Sequence, residues 1–292
     1  MRLIYARMCL ALIFLCASGN AKEIAKPPSL SNVSYSSVTD LEFTNADFKL
    51  SYGQDPLQYG LLWLPPDAPE VDTTAHSHIK NQSDFPLIVL IHGGCWLNAY
   101  DIKHTYALST ALAAAGYAVW SLEYRRTGDE GGGWPGSLTD VRAGISYIHK
   151  LKTYPVDLSK VVLTGHSAGG HLALLAGAKN QSVLAVIGLA AITDIEKYSR
   201  GDNSCESAIR QFMAGSYDER TREYDSANPL KQTLHINNLL LQGDADVIVP
   251  MVQATQSKLP FKILEGAGHF DWIHPHTRAF ETLILSLQDI FK

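Results

Sequence analysis

Six short apolar runs, at residues 87–91, 118–122, 161–164, 185–189, 239–241 and 261–264, recur along the chain with helix-like segments between them. This alternation limits the possible folds more than any other feature. Each run has the length of a strand buried on both faces. Segments 107–115, 138–151, 168–179, 251–257 and 277–287 have helix-forming composition or i, i+3, i+4 apolar spacing. Strand alternating with helix predicts an α/β fold with a mostly parallel sheet covered by helices on both faces. Such strands must be apolar throughout, in keeping with 18% charged residues here against about 25% in an average domain. Runs 48–52 and 59–63 read as an early strand pair stopped by Pro65-Pro66, and the polar stretch 67–85 reads as a surface loop. Residues 193–237 break the alternation. Charges crowd there, a short helix over 206–213 is expected, and the segment reads as a cap-like insertion over one edge of the sheet.

The first 21 residues differ from the rest. Arg2 and Arg7 precede an apolar run at 8–17, and Ser18, Gly19, Asn20 and Ala21 follow it, the layout of a cleavable secretory leader. The run is half the roughly 20 residues that a membrane-spanning helix needs, so no stable membrane anchor is expected after cleavage. Bulky Leu15 before Cys16 is out of keeping with a lipid-attachment site. The expected organisation is a signal peptide, 1–21, and one catalytic domain, 22–292, that is secreted or periplasmic. Of the four cysteines, Cys95 and Cys205 remain after cleavage, enough for one bridge in an exported protein. Whether they pair is not legible in the sequence.

Chemistry is signalled first at Gly165-His166-Ser167-Ala168-Gly169, which lies between a buried run and an Ala- and Leu-rich helical segment. As a bare pattern this is weak, but a strand-to-helix turn flanked by small residues lifts a serine hydroxyl into an exposed, strained position. A serine nucleophile needs a base, and the oxyanion it creates needs waiting donors. His92-Gly93-Gly94-Cys95-Trp96 follows the run at 87–91, where backbone amides can approach an oxyanion closely. The donors assigned are the amides of Gly94, Cys95 and Ala168. The acid and base are expected downstream in that order. Gly243-Asp244-Ala245-Asp246 offers two carboxylates, of which Asp246 is favoured with Asp244 as the alternative. Gly266-Ala267-Gly268-His269 then supplies a histidine on a loop of small residues.

Most of the 11 histidines must be bystanders. His92 and His166 are expected to support their loops, and His171 to serve packing or the surface. His76-x-His78 and His274-x-His276 lack the further ligands that a zinc site requires, so no metal is expected. Gly131-Gly132-Gly133 sits in a loop with Trp134-Pro135 and is not a dinucleotide fingerprint, so no cofactor is expected either. A net charge of −5 with no basic stripe argues against nucleic acid as a partner.

Taken in order, His92-Gly93-Gly94-Cys95-Trp96, Glu123-Tyr124-Arg125-Arg126, Gly132-Gly133-Trp134-Pro135-Gly136, Gly165-His166-Ser167-Ala168-Gly169, Gly243-x-x-Asp246 and Gly268-His269-Phe270-Asp271 resemble the α/β-hydrolase superfamily. Within it the match is to the branch of small esterases and kynurenine formamidase-like enzymes. The resemblance implies Ser167 as nucleophile, Asp246 as acid and His269 as base, with Gly94, Cys95 and Ala168 at the oxyanion. It also implies that Asp140 and Trp134 lie near the rim of the site. Trp96 and Trp134 are the candidate substrate-binding residues. Cys95 stands where formamidase-like members usually carry an aromatic residue, and an export signal does not suit cytosolic tryptophan catabolism. The expected activity is therefore hydrolysis of small carboxylic esters, with an amide hydrolase of the arylformamidase or peptidase-like type as the alternative.

Overall fold

The structure is a computed structural model that describes residues 30–71 and 84–292. The expected leader and His76-x-His78 fall outside the described residues, as does most of the polar stretch 67–85.

The chain enters through a short helix, α1 (Tyr35–Thr39), that sequence reading did not anticipate. An antiparallel pair follows, β1 (Phe48–Ser51) and β2 (Tyr59–Trp63), then β3 (Phe85–Ile91), α2 (Tyr106–Ala114), β4 (Ala118–Leu122) and α3 (Gly136–Ser146). Next come β5 (Val156–His166), α4 (Ala168–Gly177) and β6 (Ala185–Leu189). Three short helices, α5 (Ile195–Tyr198), α6 (Ser204–Phe212) and α7 (Thr221–Ala227), fill the segment expected to be an insertion. The chain closes with β7 (Asn238–Gly243), α8 (Val252–Thr255), β8 (Phe261–Leu264) and α9 (Arg278–Phe291).

The strands form one eight-stranded sheet in the order β1-β2-β4-β3-β5-β6-β7-β8. From β4 to β8 all neighbours are parallel, as expected. The helix expected over 138–151 instead leaves α geometry after Ser146 and continues as a 3₁₀ segment, Tyr147–Thr153. The change occurs where the Trp120 indole donates to the Gly144 carbonyl at 3.0 Å and Tyr147 stacks on the Trp120 ring.

Side-chain alternation along β3 shows the layering. Leu87, Val89 and Ile91 pack in one apolar cluster with α3 and α4, while Ile88 and Leu90 pack in the other with α2 and α9. Both faces are thus covered, which places open backbone at the ends of the strands. β3 lies between β4 and β5, so the chain winds outward in opposite directions from it. Ligand crevices of open α/β sheets form at such a switch point, beyond the carboxyl ends of the strands.

Candidate active site

Two loops leave the sheet at that point. Ser167 joins β5 to α4 with φ 56° and ψ −121°, a conformation that costs a non-glycine residue about 1–3 kcal/mol. The turn is held by its backbone: the Ser167 amide donates to the Leu189 carbonyl at 2.8 Å, and its own carbonyl accepts from His171 at 3.1 Å. A Cβ at Gly169 would lie 2.3 Å from both the Ile91 and His92 carbonyl oxygens, so the first turn of α4 presses directly on the loop after β3. Only glycine permits that approach. The amide of Ala168, the first residue of α4, belongs to the group that a helix start leaves without intrahelical acceptors.

The loop after β3 carries three successive left-handed residues, Gly94, Cys95 and Trp96. His92 anchors it, its ring lying 2.8 Å from the Gly93 carbonyl through Nδ1 and 3.0 Å from Glu123 through Nε2. Glu123 also accepts the amides of Tyr124 and Ile102, at 2.9 and 3.1 Å, and so binds this loop to the segment bearing Tyr100 and His104. Burial pushes the Glu123 carboxyl up, but the His92 ring, Arg126 and the Tyr124 amide together outweigh it and hold the carboxyl below its ordinary range. Glu123 stands in the motif Glu123-Tyr124-Arg125-Arg126, but nothing in the sequence signals this anchoring role.

Of the two downstream carboxylates, Asp246 is the one paired with His269. His269 donates from Nδ1 to Asp246 Oδ2 at 2.8 Å, the tautomer that leaves Nε2 as the acceptor. Asp246 is fixed by three other donors, the amides of Ile248 and Val249 at 2.9 and 2.8 Å and the Gln242 side chain at 3.0 Å. Asp244 instead accepts the Gly266 amide at 2.7 Å, shaping the loop that carries His269. His166 supports that loop as expected, donating from Nε2 to the His269 carbonyl at 2.9 Å. Burial, and then the neighbouring His269 ring, hold the His166 pKa well below its ordinary value, so this imidazole is neutral.

Ser167, His269, Gly94 and Cys95 line one cavity of ≈ 160 Å³. Tyr35, Tyr100, His104, Phe270 and Ile248 line it too, as do Ser204 and Cys205 from the insertion. The sequence assigns none of these additional residues to the site; Cys205 is legible there only as a possible bridge partner. Cys95 and Cys205 form a disulfide, which ties the loop after β3 to α6. A roomier groove of ≈ 410 Å³ on α6 and α7 shares no lining residue with this cavity, and no histidine lines it.

Three expected positions need correction. Trp96 does not line the cavity: it is fully buried, stacked on Phe212 of α6 at 4.8 Å, and serves as packing between loop and insertion. Trp134 does not line it either, because its amide donates to the Phe212 carbonyl at 2.9 Å and its ring packs against Phe212. Asp140 is buried away from the rim, taking Arg125 Nε and Nη2 at 2.8 and 2.7 Å and the Gln58 amide group at 2.7 Å. His171, in contrast, packs as expected, with Nε2 2.7 Å from the Ala227 carbonyl.

Comparison with known proteins now adds the lineage. The signature of the BD-FAE family matches residues 75–259. The chain belongs to the BD-FAE family. That span includes Ser167 and Asp246 and stops short of His269. Among curated proteins the chain is similar to Esterase LipC of Mycobacterium tuberculosis (strain ATCC 25618 / H37Rv), 24% identical over 250 residues, covering 76% of this chain and 59% of LipC. It thus spans about three-fifths of that relative's length. Among solved structures it is similar to Esterase B of Lactobacillus Rhamnosis, with a TM-score of 0.69, 19% identity and coverage of 86% and 88% of the two chains. A truncated carbohydrate esterase from gut microbiota also matches, with a TM-score of 0.69, 21% identity and coverage of 85% and 96%. The fold is that of the α/β-hydrolases.

Proposed function

We propose that this protein is a serine hydrolase that cleaves small carboxylic esters through an acyl-enzyme on Ser167. The observation that carries the reading is the Asp246–His269 pair opening into the same cavity as Ser167, beside the backbone of Gly94 and Cys95. The esterases among similar proteins favour an ester over an amide substrate.

In this reading His269 Nε2 takes the Ser167 proton as Oγ attacks the ester carbonyl. The amides of Gly94, Cys95 and Ala168 receive the oxyanion, and each such donor is worth about 10²–10³ in rate. His269 returns its proton to the leaving alcohol. Water then enters, gives a proton to His269 and attacks the acyl carbon, and as the intermediate collapses His269 passes that proton to Ser167 Oγ, releasing the acid and restoring the serine. Asp246 fixes the histidine tautomer and stabilises the imidazolium that forms in each half-reaction. This sequence draws on no cofactor or metal. A cavity of ≈ 160 Å³ fits a small acyl or alcohol group better than a long lipid chain. The leader-like residues 1–21 support action outside the cytoplasm, in the periplasm or the medium.

Rapid mixing of the mature protein with short-chain p-nitrophenyl esters tests the proposal. A burst of nitrophenol approaching one equivalent is expected where deacylation is the slower step, and Ser167→Ala should abolish turnover. Hydrolysis that survives Ser167→Ala would refute it. Faster turnover of N-formylkynurenine or aminoacyl amides than of any ester would replace it with the amide reading.

A further inference from the structure

The chain before β1 forms part of the cavity that holds Ser167, although it belongs to neither the sheet nor the insertion. Residues 30–40 run across the loop that carries His269 and are fastened there through backbone. Leu30 donates its amide to the His276 carbonyl at 3.3 Å. The buried Asp271 carboxylate accepts the amides of Asn32 and Val33 at 2.8 and 2.7 Å. A Cβ at Gly268 would stand 2.3 Å from Asn32 Oδ1, so the strap lies in direct contact with the residue before His269. Asn32 has φ 51°, which turns the chain into α1, and the Ser34 hydroxyl caps that helix.

This anchoring delivers one aromatic side chain to the site. The Tyr35 ring lies 5.4 Å from Phe270, 5.7 Å from Tyr100 in an edge-on contact and 5.9 Å from His104. Phe270 in turn meets the His269 ring edge-on at 5.1 Å. Tyr35 is half-buried, and burial, followed by Tyr100, raises its phenol pKa above the ordinary 10.0. It faces the cavity as an uncharged ring. Ser204, Cys205 and Ile248 also line it.

We infer that residues 30–40 complete the active-site cavity as a strap and that Tyr35 on it is a specificity-determining residue, limiting the substrate group that fits beside Ser167. A space of ≈ 160 Å³ is close to the roughly 150 Å³ that accommodates a benzene ring in an apolar protein cavity. The group admitted is accordingly a small apolar or aromatic one, and the tyrosine ring sets its upper size. The inference rests on the ester-hydrolase reading and deepens it.

The test compares kcat/KM ratios for the mature wild-type protein and three variants. One series varies the acyl chain, p-nitrophenyl hexanoate against acetate, and the other varies the alcohol, 1-naphthyl acetate against phenyl acetate. Tyr35→Ala should raise at least one ratio of large to small substrate by about tenfold, the lower end of what one extra methylene is worth in a hydrophobic pocket. Tyr35→Trp should lower the same ratio, and Tyr35→Phe should leave it unchanged because the ring forms the wall. A merely structural role would scale all substrates together. Unchanged ratios in both Tyr35→Ala and Tyr35→Trp, with Ser167-dependent hydrolysis intact, would overturn the inference alone. Absence of Ser167-dependent hydrolysis in the wild type would overturn the ester reading and this inference with it.

Discussion

The floor of the cavity and its walls are built by different means. Ser167 and the loop at 92–96 follow adjacent parallel strands, β5 and β3, and press on each other backbone to backbone at Gly169. The walls come from segments outside the strand–helix alternation: the strap at 30–40 and α6. They are held by a few long-range fastenings, the Asp271 carboxylate, the Cys95–Cys205 disulfide and the Trp96–Phe212 stack. Groups proposed for bond-making thus sit at the ends of the central parallel strands, while groups that shape the space sit on segments outside the strand–helix alternation. Loops on a rigid scaffold commonly divide function in this way.

Changes to the paired acid and its loop should lower rate without altering preference. Asp246→Asn keeps shape but removes the acceptor that fixes the His269 tautomer, and kcat is expected to fall by about 10⁴-fold. Asp244→Asn should cost less than about tenfold, since Asp244 shapes its loop through a single amide, and equal losses in the two variants would erase the distinction drawn between them. Steady-state kinetics on one short-chain ester checks both.

Changes in the fastenings should lower stability first. Trp96→Ala empties a fully buried site between loop and insertion, and urea unfolding should show a loss of about 3–5 kcal/mol. A shift in substrate preference larger than that seen for Tyr35→Ala would return Trp96 to the binding surface. Reducing the Cys95–Cys205 bridge, which joins residues 110 apart, should cost about 2–4 kcal/mol by the same measurement. Equal unfolding midpoints with and without a dithiol reductant would show that the bridge does not fasten the wall.

The last expected effect is graded with pH and concerns buried imidazoles. Burial is the main cause that lowers His104 to about 3 and His171 to about 4, and it holds His166 well below its ordinary range. These rings are neutral in the folded protein and take up protons on unfolding below about pH 6.5, so the unfolded state binds more protons there. Stability should therefore decline as pH falls from about 6.5 toward 4, by up to about 1.4 kcal/mol per pH unit for each ring. Urea midpoints at pH 7.5, 6 and 5 check the sign, and a midpoint that rises on acidification would contradict it.

Much of the floor was legible in the sequence. The runs at 59–63, 118–122 and 185–189 coincide with β2, β4 and β6, because buried strands leave a local compositional signal; the run at 261–264 coincides with β8, but that strand lies at the sheet edge and is mostly exposed, not buried on both faces as its composition suggests. Ser167 and its flanking glycines were legible because a tight strand-to-helix turn demands small residues at fixed offsets. The walls were not. Asp271 reaches Asn32 across a sequence separation of 239, and nothing in Ser34-Tyr35-Ser36-Ser37 signals burial. Trp96 was misplaced because proximity to a motif does not give side-chain direction, and three successive left-handed residues turn this one inward. Asp244 and Asp246 are equivalent by composition, and only the folded loop distinguishes them.

The proposed chemistry requires Ser167 to be an activated nucleophile. Intact-mass analysis of the folded mature protein after brief treatment with a fluorophosphonate, followed by peptide mapping, measures that. A single adduct on Ser167 is predicted, greatly slowed in His269→Ala and absent after unfolding in urea. Folded wild-type protein that takes no label, or takes it at another serine, would contradict the account.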